Sequence, residues 1–330
     1  MSVELFRTTI SIPTSNRKLS YSTGSIFLGS CFTENIGNKL LGFKFPAIQN
    51  PFGIIYNPLS VKLSLERIIA GNPYSSDSLQ YSNGLYFSFD HHSRFSDPNA
   101  DVCLNGINDA LINANDAIKK ASFLFITFGT AYYYKLKITK QLVSNCHKLP
   151  EKEFERERLT VTDIVENFTE MMTSLRVLNP NLQIVFTVSP IRHWKDGAHE
   201  NQLSKSILLL AIDELCHIYN YLFYFPAYEL MLDELRDYRF YNEDMLHPSS
   251  TAIDFIWKRF RNCFISEATL QIMSEVEKIQ MACDHKPYNP QSEAYRTFSI
   301  QQLNKIQHLT DQYPHLNFDS ENKYFKSFIE

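Results

Sequence analysis

An α/β fold is what this sequence predicts: a doubly wound, mostly parallel sheet held in a three-layer α/β/α sandwich, with a helical C-terminal extension. Three observations carry that reading. Short apolar runs alternate with longer segments whose apolar residues recur every three or four positions, the order expected of a parallel sheet covered by helices on both faces. The composition, 44% hydrophobic and 21% charged, is that of a chain able to bury a large core. Its 330 residues give room for one large domain with an appendage, or for two domains.

The elements follow in order. Ser25 to Gly29 is a first strand and Thr33 to Leu41 the helix after it. Ser122 to Phe128 and Gln183 to Val188 are continuous apolar runs of strand length, and Tyr221 to Phe225 is a fourth strand. Helices at Ile107 to Lys120, Val161 to Leu178 and Gln202 to Tyr219 connect them. Tyr132 to Ile138 and Leu142 to His147 form a β-hairpin turning near Thr139 and Lys140, whose return is expected to bring Asn145, Cys146 and His147 beside Gly129 to Tyr133. After about residue 265 no buried strand appears, and helices over Ser266 to Cys283 and Ser299 to Gln312 are expected. The boundaries are therefore 1–264 for the main domain and 265–330 for the extension, which packs on that domain or joins a second copy in a homodimer.

Several function classes are excluded at this level. With 32 Lys+Arg against 36 Asp+Glu, the formal charge of −4 does not favour nucleic acid. The longest strongly apolar run, Ile207 to Ile212, is far short of the roughly 20 residues that cross a bilayer, so no membrane role is expected. Met1 to Arg7 shows no basic segment leading into an apolar stretch, which predicts a cytoplasmic protein. Six cysteines without a C-x-x-C pair fit reduced thiols and no metal site; the neighbouring His91 and His92 point to opposite faces and do not make one. Neither G-x-G-x-x-G nor a P-loop is present, so no cofactor is expected.

Two motifs carry chemistry. In Gly29-Ser-Cys-Phe32 an apolar strand runs directly into a helix, placing Ser30 and Cys31 at the carboxyl edge of the sheet and at the positive end of a helix dipole. A thiol there is expected to have a lowered pKa, although a turn glycine, a capping serine and a packed cysteine would give the same letters. In Asp244-Met-Leu-His247, a carboxylate three positions before an imidazole can orient it as a base; a capped helix start is the ordinary alternative. Arg192 and His193 follow the strand Gln183 to Val188 and should emerge at the same edge, where Arg192 is placed to hold a carboxylate or phosphate, or to pin a loop. Arg236 and Arg239, set among Asp233, Glu234 and Asp237, read as a solvated ion-pair network.

Taken together, these segments resemble the GSCFA family over roughly residues 25 to 260. The similarity runs through Gly29-Ser-Cys-Phe32, with Thr33 where Ala is usual, and Asn50-Pro-Phe-Gly53, Thr127-Phe-Gly-Thr-Ala131, Asn145-Cys-His-Lys148, Ser189-Pro-Ile-Arg-His193 and Phe225-Pro-Ala-Tyr-Glu229. It continues through Asp233 to Tyr241 and Asp244 to Pro248. The family looks like a branch of the SGNH, or GDSL-type, hydrolases. That resemblance implies Cys31 in the nucleophile's place and Ser30 in that of the usual aspartate, with Asp244 and His247 matching the terminal Asp-x-x-His. It implies Gly53 as an oxyanion N–H donor and puts Gly129-Thr130-Ala131 where a Gly-x-Asn would supply another. The absent asparagine leaves Thr130 or Asn145 as its substitute, with His147 also near the pocket.

The function expected is that of an esterase-like hydrolase or acyl transferase. Its expected substrate is a small ester, a class that includes acylated carbohydrates, and its nucleophile is cysteine within a Cys-His-Asp triad. The rival is a non-catalytic small-ligand-binding module on a degenerate scaffold. A third reading makes Ser30 the nucleophile.

Overall fold

The computed structural model of the chain describes residues 8–329; Met1 to Arg7, read above for a leader, lie outside them. The central sheet is built from β1 (Ser25–Gly29), β2 (Ala47–Gln49), β5 (Phe123–Phe128), β9 (Gln183–Val188) and β10 (Leu222–Tyr224), all parallel, in the spatial order β10-β9-β5-β1-β2. The chain leaves β1 toward β2 and returns to β5 on the other side, so the order reverses between β1 and β5. In open α/β sheets, ligands bind outside the carboxyl ends of the strands at such a reversal.

Both faces of the sheet are covered, which is why its strands read as continuous apolar runs. Ile26, Leu28, Leu124, Ile126, Phe128, Ile184 and Phe186 join one core with α2 (Pro58–Ala70), α3 (Ala100–Ile118), α4 (Val161–Leu178) and α5 (Gly197–Ile218). The alternate residues Phe27, Phe123, Phe125 and Val185 face the other core, shared with α1 (Cys31–Gly42), the short α6 (Ala227–Glu229) and α7 (Ser250–Phe264). The extension, α8 (Glu267–Asp284), α9 (Glu293–Gln312) and α10 (Asp319–Lys326), packs into that second core through Met273, Val276, Ile306 and Phe325.

Helix starts follow local capping chemistry. Asn57 accepts from the Ser60 N–H with Pro58 in the first turn, and Thr160 and Asp163 form a reciprocal capping box. Helix α3 begins seven residues before its periodicity suggests, because the Asn99 side chain accepts the N–H groups of Asp101 and Val102. Ser292 likewise starts α9 ahead of the expected Ser299.

The inserted hairpin departs from expectation. Strand β6 (Tyr132–Leu136) pairs with β7 (Leu142–Val143) only at Tyr134↔Val143 and Lys135↔Leu142, while β8 (Phe154–Arg158) lines the whole other edge of β6. Released after Val143, the chain crosses to the hairpin of β3 (Gln80–Ser82) and β4 (Leu85–Phe87), where the Ser144 and Asn145 N–H groups bond the Phe89 carbonyl. Asn145, Cys146 and His147 therefore do not return to Gly129.

The tightest point of the sheet is the end of β1. Gly29 has φ +137°, and a Cβ there would lie 2.1 Å from the Thr127 carbonyl oxygen of β5. Both sterics and backbone conformation demand glycine. Gly29→Ala is expected to destabilise the fold by more than about 2 kcal/mol in urea titrations, whereas Gly24→Ala, whose Cβ meets only Ala121 at 3.8 Å, stays near wild type.

Candidate active site

At the β1–α1 junction Ser30 is the N-cap and Cys31 the first helical residue. Ser30 is 1% exposed and its hydroxyl has no partner, so it faces the interior rather than a substrate. Cys31 is only partly buried. The N–H groups of Cys31 and Phe32 act on its sulfur and favour the thiolate, as does the charge of Lys205, but burial outweighs them and Glu34 adds to it. The thiol pKa is therefore raised, not lowered as the helix terminus alone predicts. The dipole argument omitted desolvation, which disfavours the charged form.

Around the sulfur stand residues that sequence reasoning passed over. Lys205, on α5, is fully buried and donates to the Gly129 and Ser189 carbonyls at 2.8 and 2.7 Å, bridging the ends of β5 and β9. Burial brings its pKa down to about 7, with the Cys31 charge resisting. Tyr56 is pushed up to about 12 by burial and by the charges of Cys31 and Glu34, and its ring meets His193 edge-on at 5.2 Å. Asn50 is wholly buried; its side-chain oxygen takes the Gly29 N–H at 2.9 Å, and Arg94 reaches both Glu34 and the Asn50 carbonyl.

His193 lies over Gly129: a Cβ built there would sit 3.3 Å from its Nε2. Its pKa is lowered to about 4 by burial first, then by the Lys205 charge, with Asp196 opposing and with Arg156 and His247 lowering it further. The Asp244 carboxylate accepts from His247 Nδ1 at 2.5 Å and from the Leu246 and His247 N–H groups at 2.9 Å each. Those hydrogen bonds hold its pKa down at about 2. The imidazole and its carboxylate are both about half exposed, and no hydrogen bond joins the Cys31 sulfur to His247.

The remaining expected donors are spoken for. The Gly53 N–H donates to the Asn50 carbonyl at 2.7 Å, and Gly53 itself is needed because φ is +82° and a Cβ would meet His92 Cβ at 2.1 Å. Gly129 and Thr130 both donate their N–H to the Tyr56 carbonyl, and the Thr130 hydroxyl bonds Ser204 at 3.2 Å. The Asn145 side chain accepts the His147 N–H, while the His147 ring stacks on Phe87 and contacts the Ser88 carbonyl. Asn145 and His147 thus belong to a separate aromatic cluster, because the chain diverges after Val143. Arg192 lines a surface cleft of about 460 Å³ that Asp244 also lines. Among the described residues no group of acidic, histidine and cysteine side chains could hold a metal ion, and no helix is long and apolar enough to cross a membrane.

The fold and this junction are those of a chain in the GSCFA family: its family model matches residues 25–260, and a model described as the GSCFA C-terminal domain matches residues 276–330. By that match the protein belongs to the GSCFA family. Among solved structures it is similar to a carbohydrate esterase family 3 protein from Talaromyces cellulolyticus, at 9% identity and a TM-score of 0.26, covering 49% of this chain and 63% of that one. It is also similar to the acetyl xylan esterase Est2A from the rumen bacterium Butyrivibrio proteoclasticus, at 12% identity and a TM-score of 0.35, covering 77% of this chain and 66% of that one. The chain spans less than two thirds of the length of either. No curated protein matches it.

The buried imidazoles set a pH dependence of stability. His193, near 4, and His91, near 3, are held below the ordinary 6.5, so the unfolded chain binds protons that the fold refuses. Stability is therefore expected to fall as pH drops from about 6.5 toward 4, by up to about 1.4 kcal/mol per pH unit for each histidine. Urea midpoints for His193→Asn should show a shallower fall than wild type across that window.

Proposed function

We propose that this protein is an acyl hydrolase or acyl transferase working through the Cys31 thiolate on a small ester substrate, and that it is cytoplasmic. The observation that carries the reading is the sulfur's setting: the first turn of α1 at the strand-order reversal, with two backbone N–H groups and the buried Lys205 charge acting on it. All three favour negative charge, on the sulfur before attack and on an acyl oxygen after it.

In this mechanism the neutral His247 takes the thiol proton as Sγ forms a bond to the carbonyl carbon. The carbonyl oxygen becomes an oxyanion facing the start of α1. Collapse breaks the carbon–oxygen ester bond, and His247 returns the proton to the departing alkoxide, leaving a thioester on Cys31. Water, deprotonated by the same imidazole, then cleaves the thioester and restores the thiol; an alcohol or thiol in place of water gives transfer. Asp244, bonded to Nδ1, keeps Nε2 as the proton acceptor. The sulfur and imidazole are not hydrogen-bonded in the free site, and such bonds often tighten only around a substrate.

One observation favours the rival, a binding module without chemistry: the raised thiol pKa. Alkylation separates the two. Under the catalytic reading iodoacetamide labels Cys31 ahead of Cys103, Cys146, Cys216, Cys263 and Cys283 in peptide mass spectra, and Lys205→Met slows that labelling about tenfold at pH 6, below the Lys205 pKa of about 7 where its charge is present, as for one unit of pKa. Uniform slow labelling supports the binding module. With p-nitrophenyl acetate, Cys31→Ala is expected to lower kcat/KM at least about 10³-fold while Ser30→Ala stays within about tenfold; the opposite pattern would transfer the role to Ser30.

A further inference from the structure

Beside the His247–Asp244 pair lies a cleft of about 460 Å³ whose charged lining is mostly matched by charges just outside it. Asp244 is engaged by His247, Asp237 is matched by Arg239, and Arg236 by Asp233. Arg192 is the exception. Among the described residues no carboxylate pairs with it; its Nε is buried without a partner, and one terminal nitrogen makes only a long contact, 3.5 Å, to the Ala198 carbonyl. Its guanidinium lies over the Trp194 ring, 5.2 Å from the centroid. A guanidinium over a ring face keeps N–H groups free for a planar acceptor, and an orphaned buried donor is costly unless a ligand satisfies it.

The rest of the lining is aromatic and apolar. Trp194 is 52% exposed and Tyr238 77%, and Tyr241 and Leu246 line the same cleft. Large exposed rings around one unpaired cation suit a ring-shaped molecule that carries a single carboxylate. They do not suit a phosphate dianion, for which a single arginine is a poor counter-charge.

We propose that this cleft binds the non-reacting part of the substrate, and that this part is a ring bearing a carboxylate, paired with Arg192 and stacked against Trp194. Which end of the substrate reacts rests on the acyl-transfer reading; the binding does not. The cleft thus narrows the substrate class to anionic, ring-containing esters.

Calorimetric titration with benzoate and benzamide, which share a ring and differ in charge, tests the binding. Wild type is expected to prefer benzoate by at least about tenfold, Arg192→Met to lose that preference, and Arg192→Lys to keep part of it, since a point charge replaces a planar fork. Trp194→Phe should weaken both ligands while keeping the preference. Equal affinity for the two, no benzoate binding at millimolar concentration, or an undiminished preference in Arg192→Met overturns the proposal. Kinetics with 4-acetoxybenzoate and 4-acetoxybenzamide separates it from the mechanism. Arg192-dependent benzoate binding without turnover of either ester upholds the cleft and defeats the acyl-transfer reading. Turnover of both esters at equal kcat/KM, unchanged in Arg192→Met, does the reverse.

Discussion

The Lys205 ammonium organises this edge of the sheet. It is fully buried, and its hydrogen bonds go to two backbone carbonyls, one after β5 and one after β9. Carbonyl dipoles solvate a cation partially, so a positive charge confined there raises the worth of any negative charge that forms nearby. The negative charge that acts on it is that of Cys31. A thiol at rest gains little from this field, and burial still holds it protonated longer than usual. A thiolate or a tetrahedral oxyanion gains more, which is the differential that accelerates a reaction rather than merely tightening binding.

The two imidazoles divide the edge between them. His193 is packed against Tyr56 and Gly129 and stays neutral well below neutral pH. His247 sits on an exposed loop, held by a carboxylate that satisfies two backbone N–H groups as well as the ring. A group required to gain and lose a proton each turnover belongs at the wet rim beside a fixed acceptor, and a group that shapes the wall belongs in the dry interior. In the acyl-transfer reading proposed above, His247 takes the first of those places and His193 the second.

How much of this was legible in the letters depends on what kind of signal each residue leaves. Strands β1, β5 and β9 were plain because strands buried on both faces must be apolar throughout. Strand β8, Phe-Glu-Arg-Glu-Arg, was invisible because it is an exposed edge strand whose charged side chains pair across to Lys135 and Glu200. The hairpin was recognisable, but not the point at which β7 would release the chain, since that depends on aromatic packing around Phe87 and Phe89 from a distant segment. Lys205 did leave a trace: Asn201, Ser204 and Lys205 occupy the buried stripe of α5 continued by Leu208, Ala211, Ile212 and Leu215. Three polar residues at helical spacing on an otherwise apolar stripe mean that the end of that helix covers something polar.

The C-terminal helices bear on the same geometry from behind. Cys31 is placed by α1, and α1 buries Phe32, Ile36 and Leu40 in the core that also holds Met273, Val276 and Ile279 of α8. The far end of α1 is tied as well: Gln280 donates to the Gly42 carbonyl, and Lys44 pairs with Glu321 at 2.5 Å with both side chains largely buried. Under the proposed acyl transfer the first residue of α1 holds the sulfur to within a fraction of an ångström, which needs the helix axis fixed over its whole length, and a single sheet face against one side does not prevent it from rocking. The extension supplies the second wall. The matches of the two family models to successive parts of this chain then have a physical sense: one part carries the sheet edge at Cys31, and the other clamps the helix that starts there.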